Sequence, residues 1–494
     1  MRTLTDLVRA CGATVAAGAS TLDSLQVSGL TADSRAVEPG AVFAALPGAK
    51  ADGRAFIAQA VSKGAVAVLA PTGTVLPEGV NAPLLTSDTP RLAFSLMAAA
   101  FHGRQPETIA AVTGTNGKTS TANFARQIWA ALGLQAASLG TLGVIGPDWT
   151  IDGKLTTPDP ERLHALLAQI ADRGVTHLCM EASSHGLDQH RLSGVTVAAG
   201  GFTNLSRDHL DYHGTMEAYL QAKETLFSSV MHEGGTAVLN ADAPEFSRLA
   251  ETARSRHLRV IDYGRAATAI QLQSITRTAH GQRLTLALNG GDPLTVELPL
   301  AGTFQVENAL CALGLVIGCG AESARAVRAL ETLSGVAGRL QLAATRANGA
   351  AVYVDYAHTP DALETVLEAL RPHAANRLVC VFGAGGDRDP GKRPLMGEAV
   401  ARLADVAIVT DDNPRTEDPA TIRAAVLAAC PGGLDIGDRR AAIAEGVGLL
   451  GPGDVLLVAG KGHESGQTVG TTVHPFDDAA ECRAAVALAD GRPA

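Results

Sequence analysis

Residues 113–120 read Thr-Gly-Thr-Asn-Gly-Lys-Thr-Ser, and their types and spacing suit the binding of a polyphosphate. Gly114 and Gly117 let backbone N–H groups approach anionic oxygens, Lys118 adds a mobile cation, and the Thr119 hydroxyl can ligate Mg²⁺. The run departs from the general Gly-x-x-x-x-Gly-Lys-Thr pattern, which needs glycine at 112, where this chain has Val112. The glycine at 114 instead gives a shorter loop.

Two further clusters carry groups that could do chemistry. In His177-Leu-Cys-Met-Glu181-Ala-Ser183-Ser184-His185, Glu181 closes an apolar run and could hold Mg²⁺ beside a nucleotide. Thr203-Asn204 through Asp208-His209-Leu-Asp211-Tyr212-His213 is crowded with ligand types. Its His-x-Asp-x-His spacing could be half of a binuclear hydrolase site, but the phosphate loop would then be idle. Ser183-Ser184-His185 lacks the Gly-x-Ser-x-Gly elbow of a serine nucleophile. Val381-Phe-Gly383-Ala-Gly385-Gly386-Asp387-Arg388 resembles a dinucleotide fingerprint broken at its third glycine, and fits better as a small-residue loop presenting Arg388 to an anion.

Such loops need strands to carry them. Thr108–Val112 is apolar and β-branched, and Phe124, Ile128 and Leu132 repeat at helical spacing up to Gly133, so strand, glycine loop and helix follow in order. Strands are expected at 108–113, 175–181 and 196–203, each ending at one of the three clusters, where open α/β sheets place ligands. Val42–Leu46 and Ala65–Leu69 are strand-like, and Pro71–Pro83 is a loop. Leu284, Leu286 and Leu288 alternate within 270–300, which suggests an antiparallel excursion. Ala351–Tyr356, Arg377–Phe382, Asp405–Thr410 and Asp454–Ala459 each lead into a polar loop and a helix. The expected class is α/β in three domains: a small α/β domain over 1–103, a central parallel-sheet P-loop ATPase over 104–335, and a Rossmann-like domain over 336–494. The length of 494 residues agrees with about three domains at roughly 150 residues each.

Forty Lys+Arg against 50 Asp+Glu, net −10, exclude a general nucleic-acid binder. The seven cysteines are scattered and never spaced Cys-x-x-Cys, which indicates buried free thiols in a reducing compartment. No apolar run reaches the ~18 residues of a membrane helix. Asp6 and Arg9 interrupt what would be a signal peptide's apolar core, so the first residues read as an amphipathic helix. A soluble, cytoplasmic monomer acting on small molecules is the expectation.

Taken together, the motifs resemble the Mur ligases, ATP-dependent amino-acid ligases that build the peptidoglycan stem peptide. Gly114–Thr119, Glu181–His185, Asn204–His213, Asn308, Gly338-Arg339, Asp355–Pro360 and Asp412–Arg415 recur in the family's order over nearly the whole chain. The likeness is strongest to the diaminopimelate-adding branch. It implies two steps. The terminal carboxylate of UDP-MurNAc-L-Ala-D-Glu attacks the γ-phosphate of ATP to form an acyl phosphate, and the amine of meso-diaminopimelate then displaces phosphate.

The resemblance also assigns residues. Gly114, Thr115, Asn116, Gly117, Lys118, Thr119 and Ser120 would bind ATP with Asn308, Arg339 and Asp355. Lys118, Lys223 and His209 would be catalytic. Mg²⁺ would be held by Thr119, Glu181, His209 and a carbamylated Lys223. For the UDP-substrate it implies Ala32, Ser34, Ala49, Lys50, Ala51, Thr156, Thr157, Ser183, Gln189 and Arg191. Leu155 and Pro158 stand where relatives often have Asn and Gly, so a contact at 155 would be backbone or lost. For diaminopimelate it implies Arg388, Asp412, Asn413, Pro414, Arg415, Gly460 and Glu464. Arg415 would clamp a carboxylate bidentately and Glu464 would pair with the distal ammonium.

Three rivals remain. A lysine-adding ligase of the same family usually lacks this arginine. Folylpolyglutamate synthetases share the ATPase and C-terminal domains but lack a UDP-sugar domain, which the ~100 residues before the loop argue against. A non-catalytic nucleotide-binding protein would have no need of Lys118, Glu181, His209 and Lys223 together.

Overall fold

The computed structural model describes residues 2–16, 22–48, 51–153, 155–278 and 281–491. They form two compact units, one of 1–274, 285–296 and 307–332, the other of 275–284, 297–306 and 333–494. The expected boundary at 103–104 lies inside the first unit. Residues 2–101 nevertheless have their own five-stranded sheet and their own core around Leu4, Val42, Leu69 and Phe94.

That sheet runs in the order Thr14–Val15, Leu84–Ser87, Ala67–Pro71, Ala41–Ala44, Gly29–Thr31, parallel except for its first pair. The strand expected at Ala65 begins at Ala67, because Ala65 still donates its N–H to Ala60 and closes the preceding helix. The amphipathic helix is Leu4–Cys11. Thr3 caps it by accepting from the Asp6 N–H, and Leu4, Leu7 and Cys11 are buried.

The large sheet has eleven strands. Its centre is Ala136–Gly140, His177–Glu181, Thr108–Thr113, Val197–Phe202, Met231–Asn240 and Arg259–Gly264, all parallel neighbours in that order. Both faces of a parallel sheet are covered, which is why Ile109 through Thr113 are all buried. Ile270–Thr278, Gly281–Leu288 and Leu294–Leu298 extend this sheet, so the alternation over 270–300 belongs to its edge. The helix Lys118–Ala131 starts after Gly117, at φ +87°, buries Phe124, Ile128 and Trp129, and is followed by Gly133 at φ +85°.

In the second unit a six-stranded sheet runs Gln341–Thr345, Ala351–Asp355, Val455–Ala459, Leu378–Phe382, Val406–Val409, Leu434–Asp435. All its pairs are parallel except the first. The four central strands match the expectation. The edge strands and an antiparallel hairpin, Gly466–Val469 with Thr472–Pro475, are additions.

All seven cysteines are free, and six are buried, as expected. Among the described residues no helix is long and apolar enough to cross a membrane.

Candidate active site

Thr108–Thr113 lies between His177–Glu181 and Val197–Phe202, and all three run the same way. Their carboxyl ends therefore bring together the three clusters found in the sequence, at a reversal of strand order. Gly114 needs its φ of +144° and its missing side chain, since a Cβ would lie 1.9 Å from Thr203 Oγ1. The neighbouring strand's loop laces the phosphate loop. Thr203 Oγ1 donates to the Asn116 carbonyl at 2.6 Å, Asn204 Oδ1 accepts from the Asn116 N–H at 3.0 Å, and Thr115 N–H donates to the Asn204 carbonyl at 2.9 Å. Lys118 Nζ folds back onto the carbonyls of Gly114 and Thr115 at 2.8 and 2.7 Å. Asn308 is buried against the loop, where a Cβ on Gly117 would meet its Oδ1 at 2.1 Å. Ser120 is buried in the first turn of the following helix.

Glu181 is buried at the end of its strand. Its Oε1 accepts from Thr119 Oγ1 at 3.0 Å and from the Thr141 N–H at 2.8 Å. Two hard oxygen donors side by side at a phosphate loop fit Mg²⁺. Lys223 sits on the helix Met216–Thr225, only 1 % exposed. Its Nζ donates to the Gly114 carbonyl at 2.8 Å and lies 4.1 Å from the Tyr219 ring centroid. Burial, and then Lys118, push its ammonium well below the ordinary lysine range against a smaller pull from Asp208. As an amine, Lys223 donates a hydrogen bond and is no ligand for Mg²⁺; as a carbamate it would be. His209 is half exposed at φ +52° and pairs with Asp208 at 3.4 Å. Among the described residues no group of three or more His, Cys, Asp or Glu could by itself hold a metal. The Ser184 hydroxyl is buried and meets His213 Nε2 at 3.0 Å, while Ser183 caps its own helix at the Gly186 N–H.

The expected UDP-substrate residues fall into connected and separate groups. Arg191 Nη1 donates to the Thr157 carbonyl at 2.7 Å, and its Nη2 donates to Gln189 Oε1 at 2.8 Å. Thr157 Oγ1 donates to the Glu181 carbonyl, and Thr156 Oγ1 meets Thr141 Oγ1 at 3.0 Å, so this group reaches the Glu181 strand. Gln189, Arg191 and Ala32 line one cavity of about 440 Å³ together with Thr31, Arg91 and Asp159. Ser34 is buried beside it, with its carbonyl taken by Lys63. The Ala51 carbonyl accepts from the Gly48 N–H, whereas Ala49 and Lys50 lie outside the described residues. The side chain of Leu155 is half exposed.

The second unit gathers its own cluster at the carboxyl ends of four parallel strands. Asp355 is buried, accepts from the Leu340 and Ala357 N–H groups, and is raised by burial against the pull of Arg339. Arg339 stacks on the Tyr356 ring at 4.5 Å. The loops 383–388 and 412–417 are locked together. Gly386 N–H donates to the Asn413 carbonyl, Arg415 Nη1 donates to the Gly386 carbonyl at 2.7 Å, and Asp387 accepts from Thr416 Oγ1 at 2.7 Å. Arg415 Nη1 and the Arg388 side chain both flank Gly385. Asn413 Nδ2 donates to Glu464 Oε2 at 2.8 Å. Asp412 is buried against Gly460, whose absent Cβ would lie 2.4 Å from Asp412 Oδ2. Pro414 places its carbonyl against Gly386, where a Cβ would be 1.9 Å away.

Sequence reasoning gave no role to Thr141, Thr203, Tyr219, Asp387 or Lys461. None belongs to a phosphate-loop pattern, and each acts through a partner distant in the chain.

Residues 26–113 match the Mur ligase family catalytic domain, 112–316 the Mur ligase middle domain, and 338–462 the Mur ligase glutamate ligase domain. A UDP-N-acetylmuramoyl-L-alanyl-D-glutamate–2,6-diaminopimelate ligase of Caulobacter vibrioides is 56% identical over 461 residues, covering 92% of this chain and 94% of that protein. The chain belongs to the Mur ligase family. An enzyme of the same name from Mesorhizobium japonicum is 54% identical over 462 residues, 94% of this chain and 95% of its own. A solved structure of a ligase of that name shares 34% identity at a TM-score of 0.73, covering 99% of each chain. A Mycobacterium tuberculosis folylpolyglutamate synthase complexed with ADP, at 18% identity and a TM-score of 0.62 over 75% of this chain and 91% of its own, shares the fold. This Mur ligase thus has the three-domain α/β organisation expected from its motifs.

Proposed function

We propose that this Mur ligase joins meso-2,6-diaminopimelate to UDP-N-acetylmuramoyl-L-alanyl-D-glutamate at the cost of ATP. The observation that carries the choice of amino acid is the arrangement at the second unit's strand ends. Arg388 and Arg415 flank Gly385, and Glu464 offers a carboxylate bonded to Asn413 on the Arg415 loop. Guanidinium groups suit the carboxylates of a diamino diacid, and a carboxylate suits its distal ammonium.

In the first step a carboxylate oxygen of the dipeptide substrate bonds to the γ-phosphorus, and the bond from that phosphorus to ADP breaks. In the second, the diaminopimelate amine bonds to the acyl carbon, phosphate leaves, and the amine proton passes to solvent. The phosphate loop positions the nucleotide, and Lys118, held over that loop, is placed to turn toward the γ-phosphate. Mg²⁺ at Thr119 and Glu181, and at His209 and carbamylated Lys223, would neutralise charge between the two reacting anions. Arg191, braced by Thr157 and Gln189, offers the UDP-substrate an anion-binding fork over the cavity that Ala32 also lines. Asn308, buried against the phosphate loop, is a further nucleotide contact in this reading.

Phosphate release should require ATP, Mg²⁺, the UDP-dipeptide and the amino acid together. Release with ATP alone at the full rate would contradict the acyl-phosphate route.

A further inference from the structure

We propose that Lys461 is the positioning residue that sets the Asn413 amide and the Glu464 carboxylate for the incoming diamino acid. The inference rests on the reading that this loop cluster takes diaminopimelate.

Lys461 follows Gly460 at the end of the strand Val455–Ala459, and its side chain is 0% exposed. A lysine so placed must find partners for its charge. Its Nζ finds two oxygens, Asn413 Oδ1 and Glu464 Oε2, each at 3.0 Å. Asn413 Oδ1 also accepts from the Thr468 N–H at 2.8 Å. Two donors on one atom fix which end of the amide is oxygen. The Asn413 Nδ2 is thereby turned to Glu464 Oε2 at 2.8 Å.

Two donors then converge on Oε2 of Glu464, and Oε1 carries no hydrogen bond among the described residues. One oxygen is anchored and the other is left to accept an ammonium. Burial works against the charge on Glu464, but Lys461 and Asn413 outweigh it and hold the carboxyl below its ordinary range. Lys461 thus supplies both an orientation and an ionisation state, without a surface through which to touch substrate.

The test uses the full chain and steady-state kinetics in each of the three substrates, with a melting curve for every variant. K461M should raise the KM for diaminopimelate about tenfold or more, with kcat at saturation and the KM values for ATP and the UDP-dipeptide within about threefold of native. K461R, which keeps the charge, should recover part of that loss. Because Lys461 acts through Glu464, the double variant K461M/E464Q should be no worse than E464Q alone. If K461M does not fold, K461R with and without E464Q provides the same cycle. An unchanged KM for diaminopimelate, equal losses for all three substrates, or additive penalties would overturn the inference. Native protein that turns over with neither diaminopimelate nor lysine would instead overturn the functional reading beneath it.

Discussion

Lys223 Nζ donates to the carbonyl oxygen of Gly114 at 2.8 Å, so a wholly buried amine ties the helix Met216–Thr225 to the phosphate loop. The Tyr219 ring lies against it, Lys118 repels its charge, and Asp208 compensates that charge only weakly. Burial favours the neutral amine, which is the form that adds to carbon dioxide. The carbamate formed by that addition would carry a negative charge beside Lys118, where the ammonium is repelled.

Carbamylation of Lys223 is therefore the first prediction. Active protein equilibrated with ¹³C-bicarbonate should show a carbamate carbon resonance that is missing from Lys223→Ala. The variant should lose about a thousandfold in kcat. An active enzyme whose Lys223 is unmodified would refute the assignment.

Glu181→Gln keeps the shape of the side chain but removes the charge shared by Thr119 and Thr141. The Mg²⁺ concentration for half-maximal activity should rise about 10- to 100-fold. A magnesium titration with unchanged midpoint would remove Glu181 from the metal site.

Arg415→Lys keeps a cation but loses the planar fork held by the Gly386 carbonyl. The KM for diaminopimelate should rise about 10- to 100-fold while the KM for ATP stays put. Equal kinetics in native and variant would show that Arg415 serves only the loop.

Gly117→Ala should weaken nucleotide binding, because the added Cβ would meet Asn308 Oδ1 at 2.1 Å on a backbone with φ of +87°. The strain is worth about 1–3 kcal/mol. Calorimetric titration with ADP would register it, and native affinity in the variant would contradict this packing.

His164 is buried, with Nε2 on the Ser193 carbonyl, and burial lowers its pKa to about 4. Its folded pKa lies below the unfolded one, so its contribution to stability is full above pH 6.5 and is lost as pH falls toward 4. His164→Asn should flatten the fall in melting temperature over that window, by an effect of about 3 kcal/mol at most. An identical acid profile in both proteins would count against a neutral His164.

The sequence made local features legible. The phosphate loop could be read because strand, glycines, lysine and helix are contiguous, and Glu181 because it ends the strand expected over 175–181. The four central strands of the second unit were visible for the same reason. Partners set by chain folding were not. Thr203 reaches the Asn116 carbonyl across 87 residues, and Lys461 reaches Asn413 across 48, with no periodicity to announce either. The hairpin Gly466–Val469 with Thr472–Pro475 was also missed. Its strands are short and half polar, yet the Thr468 carbonyl accepts from the Arg415 N–H and so fixes the loop proposed to carry the amino-acid choice.

The most direct measurement is the mass of the product formed from ATP, Mg²⁺ and UDP-MurNAc-L-Ala-D-Glu, with meso-diaminopimelate or L-lysine offered separately. The account predicts a diaminopimelate adduct with stoichiometric phosphate and negligible lysine adduct. An adduct with lysine at a comparable rate would contradict the roles given to Arg388 and Arg415, and the absence of any adduct would contradict the proposed function itself.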